Sequence, residues 1–387
     1  MLATIVESIT TFITFASVFY FIAALWSGRS FLRRRIASAD LAPGVSILKP
    51  LKGFDPGMYE AFSSHCRQEY SGDYELLFGV SSLDDPAVAA VERLRSEFPE
   101  RTIRLILCPN KLGLNGKVSN LVQMATEVRY EYLIVNDSDI HVSPRYLTRI
   151  MNGFATPQRG KQVGMVTAPY RGIAHGSVGS KMEALGIATD FFPGVLTALK
   201  LDGEIRFGLG STLAVSRAAL AAAGGFEALV DSLADDYELG FRIAKAGFGV
   251  VLSSEVVATS VPAYRLKDFF AHQLRWARAV RDSRRWGYAG LVITFGLPWA
   301  VLNVVASGAS LPSLALLCLA IAARVLMALA IGAGILGDTQ VVRDLWLLPL
   351  RDFCALWVWA WSFASNSIEW RGEKFVLDRG KLVRAQN

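Results

Sequence analysis

Four short clusters in this sequence carry residue types able to do chemistry. The first is Asn136-Asp137-Ser138-Asp139, which closes an apolar run at 130–135. In extended backbone, residues i and i+2 point the same way, roughly 6–7 Å apart. Two carboxylates so placed can hold one divalent cation together with a diphosphate, because magnesium takes only one or two protein carboxylates and completes its shell with phosphate and water. The same tripeptide also makes an ordinary turn or helix cap, so its meaning depends on the other three clusters. Ser82-Leu83-Asp84-Asp85-Pro86 follows a second apolar run. There a carboxylate can bind a base or ribose, or cap a helix that starts at Pro86. Ala234-Asp235-Asp236-Tyr237 stands where a helix begins. A helix N-terminus keeps a carboxylate ionised, and an ionised carboxylate beside an acceptor hydroxyl serves as general base. Capping by Asp235 would leave Asp236 unexplained. His272-Gln273-Leu274-Arg275-Trp276 lies in a helical stretch where Arg275, Arg278, Arg281 and Arg285 share a face. An arginine there can neutralise a leaving diphosphate, the role expected of Arg275. Arg278, Arg281 and Arg285 are expected on anionic lipid headgroups, with Phe269, Phe270, Trp276 and Trp286 as interfacial anchors.

These clusters must be positioned by the elements between them. Apolar strand-like runs at 45–51, 74–81, 103–109 and 130–137 alternate with helical patterns at 56–68, 86–99 and 117–128. Such alternation predicts a largely parallel sheet covered on both faces. Further strands are expected at 163–167 and 205–215, and a helix at 235–247 ending at Gly247. The clusters at 82–86 and 136–139 fall at carboxyl ends of strands, where ligands bind in open α/β sheets. The fold class is therefore α/β and Rossmann-like.

Hydrophobic residues make up 52% of the 387 residues, and they concentrate before position 28 and after about position 287. Residues 3–26 are long enough to cross a bilayer, which takes about 20 residues. Arg29, Arg33, Arg34 and Arg35 follow that run. That order predicts an uncleaved anchor with the N-terminus outside and the next domain in the cytoplasm. The runs at 288–307 and 311–336 are also long enough to span. The run at 345–364 carries Pro349, Arg351 and Asp352, so a re-entrant or interfacial element facing protein is expected there. Five parts result: an anchor with its basic flank at 1–36, a catalytic domain at 37–263, an amphipathic interfacial helix at 264–286, membrane segments at 287–366 and a cytoplasmic tail at 367–387. The formal charge is +6, but no basic-aromatic nucleic-acid module is present. The four cysteines have no metal-ligand spacing. A transporter would need more spans and internal repeats.

In their order, the motifs resemble the ceramide glucosyltransferases, a branch of the processive-type GT-A glycosyltransferases. VSILKPLKGFDP at 45–56 is similar to the family's opening strand and loop, which implies that Lys49 and Pro50 bind the uridine end of the donor. SLDDPA resembles the first aspartate motif, with Asp85 the better match, and GKVSNL the basic segment that puts Lys117 and Asn120 near the phosphates. NDSDI looks like the metal motif, through Asp137 and Asp139, and ADDY places the catalytic base on Asp236. HQLRW occupies the place of the (Q/R)xxRW signature, keeping Arg275 and Trp276, and Trp370-Arg371-Gly372 resembles the short tail motif. The resemblance implies a GT-A domain with transmembrane helices, a UDP-sugar donor (UDP-glucose), Mg2+ or Mn2+, and a lipid acceptor, ceramide, at the bilayer surface. It implies inverting transfer and an integral protein of a bacterial inner membrane. The bacterial enzymes that glycosylate hopanoid lipids, with N-acetylglucosamine, share these motifs, so the acceptor stays open between ceramide and hopanoid. A processive polysaccharide synthase would carry QxxRW and more spans. This sequence departs from the family at His272, where Gln or Arg is usual, and at Asp190, where many members have histidine.

Overall fold

The computed structural model describes residues 2–34, 39, 41–156, 158–370 and 373–384. Arg35, the boundary at 36/37, Arg371 and Gly372 lie outside the described residues. The strands are β1 (Val45–Pro50), β2 (Tyr74–Val80), β3 (Thr102–Leu107), β4 (Tyr132–Val135), β5 (Ile140–His141), β6 (Val163–Thr167), β7 (Tyr170–Ala174), β8 (Leu213–Ser216), β9 (Gly249–Leu252), β10 (Val257–Val261), β11 (Ser367–Trp370), β12 (Glu373–Asp378) and β13 (Lys381–Arg384). Seven of them form one sheet in the order β3-β2-β1-β4-β8-β6-β9. β1 pairs in parallel with both β2 and β4, so these carboxyl ends share one edge. The sheet is largely parallel, as expected, with β8 alone running antiparallel, to β4 and β6. β1 and β2 are buried almost throughout, as continuous apolar runs require when both faces are covered. A second sheet, β5-β10-β7, stands beside the first.

The expected strand at 205–215 shortens to β8. Gly208 and Gly210 explain this: a Cβ on Gly208 would come within 2.8 Å of the Asp236 carbonyl oxygen, and one on Gly210 within 3.1 Å of the Asp236 carboxylate. The segment wraps the first turn of the helix Asp235–Lys245 instead of extending the sheet.

Among the described residues, three helices are long and apolar enough to cross a membrane: Ala3–Leu32, Val178–Asp202 and Leu311–Ile335. The second lies inside the region expected to be a soluble-type domain. Lys181, Glu183 and Asp190 interrupt its apolar pattern, which hides it from a search for uncharged runs. The expected span at 288–307 is broken, with Arg285–Thr294 and Gly296–Ala306 meeting at a 56° bend. Pro298 sits in the first turn of the second piece, where its missing N–H is tolerated but would interrupt a continuous helix. The 345–364 run holds a helix at Leu348–Ser362, with Arg351 and Asp352 buried against protein. The tail is not free: β11, β12 and β13 form a small antiparallel sheet packed on Leu114 and Leu233.

Candidate active site

Asn136 directly follows β4 and is fully buried. Its amide donates to the Ser211 carbonyl at 2.7 Å and to the Tyr146 hydroxyl at 3.0 Å. That anchor turns the next three residues out over the sheet edge. Ser138 donates to Asp55, and the Thr259 hydroxyl donates to Asp139. Burial first, then the neighbouring Asp137, raises the Asp139 carboxyl to about 6. Lys49 lies beneath the motif, wholly buried, and its Nζ donates to the Asp137 carbonyl at 3.0 Å. Burial lowers its pKa to about 7 against the pull of Asp139 and Asp137. Lys49 thus supports the acidic motif from below, where the resemblance implied contact with the donor.

Lys117, in the first turn of the helix Gly116–Ala125, brings the distant clusters together. Its Nζ is 2.8 Å from Asp137 Oδ1 and 3.3 Å from Asp235 Oδ2. Burial works against its charge, yet the carboxylates of Asp137 and Asp235 raise its pKa above the ordinary lysine value. Asp235 does not cap its helix; the N-cap is Ala234, without a side-chain hydrogen bond. Asp236 Oδ1 accepts from the Tyr237 N–H at 2.8 Å. Burial, then Asp235, raises its carboxyl to about 6, opposed by Lys117. Tyr170 is close enough to Asp236 and Glu183 for burial and these carboxylates to raise its hydroxyl well above the usual range.

Asp85 holds the loop after β1. Both carboxylate oxygens accept from the Gly53 N–H at 3.0 Å, and Oδ1 also accepts from the Ala87 N–H at 2.9 Å. Gly53 has φ +73, a conformation that glycine reaches without cost. Capping and loop-holding therefore fall on one residue, while Asp84 is exposed. Asn120 is buried, accepting from Ser81 at 3.0 Å and donating to the Gly79 carbonyl at 3.3 Å. Pro50 ends β1 beside Gly79.

The signature motif sits on the helix Leu266–Ser283. His272 Nδ1 is 2.9 Å from Glu183 Oε2, and Gln273 donates to the same oxygen at 3.3 Å. Arg275 and Trp276 follow in the next turn, with Trp276 37% exposed and its ring 4.8 Å from that of His272. Arg278 and Arg281, expected on lipid headgroups, instead bond to the protein. Arg278 donates to the Ser367 carbonyl, and buried Arg281 to the carbonyls of Ser362 and Ser365 and to Asn366. Their targets lie at 362–367, between the end of the helix Leu348–Ser362 and the start of β11, which no helical spacing reveals. Arg285 and Trp286 are exposed.

A chain of charges continues from this helix into the apolar helices. Arg351 Nη2 donates to Gln273 Oε1 at 3.3 Å and lies 3.2 Å from Asp190 Oδ2. Arg324 pairs with Asp190, reaches Asp352 at 2.7 Å and donates to the Thr189 carbonyl at 2.6 Å. Thr189 and Asp190 lie in a π-helical turn, Ile187–Phe191, a local widening frequent at functional sites. Glu183 and Arg324 were not singled out by sequence; a charge within an apolar helix is the signal that could have found them.

Asp137, Asp235 and Asp236 thus meet around Lys117 at the carboxyl edge of the sheet, with Asp139 and Asp85 on adjoining loops. No group of three metal-type ligands occurs among the described residues. An all-oxygen pair such as Asp137 and Asp139, half-buried and mutually repelling, fits a hard cation whose shell a diphosphate completes. Sheet order, edge motifs and apolar helices define a GT-A glycosyltransferase with transmembrane segments. A solved mannosyltransferase, PcManGT from Pyrobaculum calidifontis, in complex with GDP-Man and Mn2+, shares this fold at TM-score 0.56 and 17% identity, covering 92% of this chain and 99% of its own. The chain belongs to glycosyl transferase family 21, which matches residues 9–383. It is 27% identical over 258 residues to ceramide glucosyltransferase 3 of Caenorhabditis elegans, covering 66% of this chain and 55% of that one. With ceramide glucosyltransferase 1 of the same organism it shares 25% over 296 residues, covering 73% and 62%. The chain therefore spans between half and two thirds of the length of these relatives.

Proposed function

We propose that this protein transfers glucose from UDP-glucose to the primary hydroxyl of ceramide, with inversion, at the bilayer surface. The observation that carries this reading is the convergence of Asp137, Asp235 and Asp236 on Lys117 from three separate segments of the chain. Asp236 takes the proton of the attacking lipid hydroxyl. The oxygen adds to the anomeric carbon as the bond to the diphosphate breaks, on the opposite face, and UDP leaves. One displacement yields a β-glucoside. Asp137 and Asp139 would hold a divalent cation, which would supply charge neutralisation at the diphosphate. Lys117 shares that charge, and Arg275 faces it from the signature helix. Asp85 fixes the loop at the nucleotide end. The signature helix lies against the apolar helices, Phe270 meeting Trp357 at 5.1 Å, so a lipid-bound hydroxyl is delivered from the membrane side.

The test is Asp236→Asn assayed at saturating donor. Turnover should fall roughly 10²–10⁴-fold while donor binding survives; near-normal turnover removes Asp236 from the role. EDTA should abolish transfer, and added magnesium or manganese should restore it. Expression in a host without glycolipids, followed by mass spectrometry of extracted lipid, should show hexosylceramide. A hexosamine on a hopanoid, or a soluble polymer, would reject the acceptor assigned here.

A further inference from the structure

Away from the sheet edge, a cavity of about 250 Å³ opens where the first helix, Leu2–Leu32, and the helix Phe192–Asp202 both end. Its polar lining is Ser27, Ser30, Arg34, Arg159 and Lys200. At ~30 Å³ per water this is room for about eight waters, ample for a phosphate ester. Three separate pieces of chain bring the cations together. Arg34 follows the first helix, Lys200 comes from the second, and Arg159 from the loop before β6. Arg159 has φ 49, and its guanidinium occupies the space that a Cβ on Gly203 would fill.

Among the described residues, none of these three cations has a carboxylate within ion-pair distance. Desolvation, then the nearby Arg159, lowers the pKa of Arg34, whose side chain still reaches solvent. Lys200 Nζ donates to Ser30 Oγ at 3.2 Å, which leaves the Ser30 hydrogen available to an anion. The ammonium also lies 4.2 Å from the Trp26 ring centroid. Trp26 is 60% exposed, and Leu32 and Leu201 flank the mouth at 66% and 79%. Exposed tryptophan beside lysine at the end of an apolar helix marks the depth of lipid headgroups, and basic pockets between helices at that depth hold anionic ones.

We propose that Arg34, Arg159 and Lys200 bind the phosphate of an anionic phospholipid headgroup. The bound phosphate bridges a catalytic-domain loop to two membrane helices, and so sets the tilt of the domain on the bilayer. This site is independent of the glycosyl-transfer chemistry, and a binding measurement tests it whatever the enzyme's substrate.

The purified full chain, in neutral detergent, is mixed with equal phosphatidylglycerol and phosphatidylcholine, and retained lipid is counted by native mass spectrometry. Preference for phosphatidylglycerol should fall roughly fivefold for each cation removed, and so about 25-fold in Arg159→Gln/Lys200→Gln. Arg159→Gln alone serves if the double variant does not fold. Lys245→Gln, exposed on the catalytic domain, removes equal charge and should leave the preference unchanged. Equal retention of the two lipids, or a loss matched by Lys245→Gln, overturns the proposal. Excess inorganic phosphate should not displace the lipid; displacement would assign the site to soluble phosphate and overturn the lipid source.

Discussion

Replacing Arg324 with methionine removes the guanidinium that ties Asp352, Asp190 and the Thr189 carbonyl together. The side chains of Arg324 and Asp352 are 2% and 3% exposed, so water cannot take over. Breaking such a buried pair from one side costs about 3–5 kcal/mol, because the remaining charge is left without compensation. At ~2.1 cal/mol/K per residue, the 387 residues give an unfolding entropy near 0.8 kcal/mol/K. The expected drop in melting temperature is therefore about 4–6 °C, read by near-ultraviolet circular dichroism in detergent. In Arg324→Met/Asp352→Leu both charges go, and the melt should recover more than half of that loss, since apolar replacement of a buried pair is often neutral. Asp190 then keeps Arg351, and through it Gln273 and the signature helix. A single variant that melts within about 1 °C of the parent, or a double variant no better than the single, refutes the assignment of a dry, mutually dependent pair.

Two further outcomes follow from the site. As the proposed base, Asp236 would have to be ionised, and burial with Asp235 raises its pKa to about 6, so kcat/KM should climb as pH rises through that value. Lys117 opposes the rise; Lys117→Met should move the midpoint upward, with a larger loss at pH below 6 than at pH above 7, and an unmoved midpoint would exclude Asp236 as the titrating group. Gly210→Ala brings a methyl group to 3.1 Å from the Asp236 carboxylate. A displacement of a few tenths of an ångström should cost roughly tenfold in kcat with little change in donor KM, measured by initial rates.

The first half of the catalytic domain is legible because β1 to β4 are uninterrupted apolar runs separated by amphipathic helices, and sheet physics makes those patterns nearly unambiguous. The site motifs are legible for a related reason. Asp137, Asp235 and Asp236 stand at element ends, where a carboxylate must be explained. What lies between 178 and 202 is not, because Lys181, Glu183 and Asp190 read as surface charges until their partners on 272, 324, 344 and 351 are known. Each partner is more than eighty residues away, and no local period encodes such pairing. Arg278 and Arg281 mislead in the opposite sense: their spacing is that of a lipid-facing stripe, but backbone carbonyls, which leave no trace in composition, are their targets. Lys49 shows a third limit, since a lysine in a loop-flanking strand gives no hint whether its ammonium points to ligand or to the floor beneath it.

The C-terminal sheet is stitched to the segment just ahead of the Asp235-Asp236 pair: Leu382 N–H donates to the Asp231 carbonyl at 2.7 Å and Leu233 N–H to the Gly380 carbonyl at 3.3 Å. Asp231 in turn accepts from the Leu114 N–H at 2.9 Å, at the approach to Lys117. In a chain made from its N-terminus, the segment that leads into Asp235 and Asp236 gains these hydrogen bonds only once residues 380–382 have emerged, later than the apolar helices at 3–32, 178–202 and 311–335.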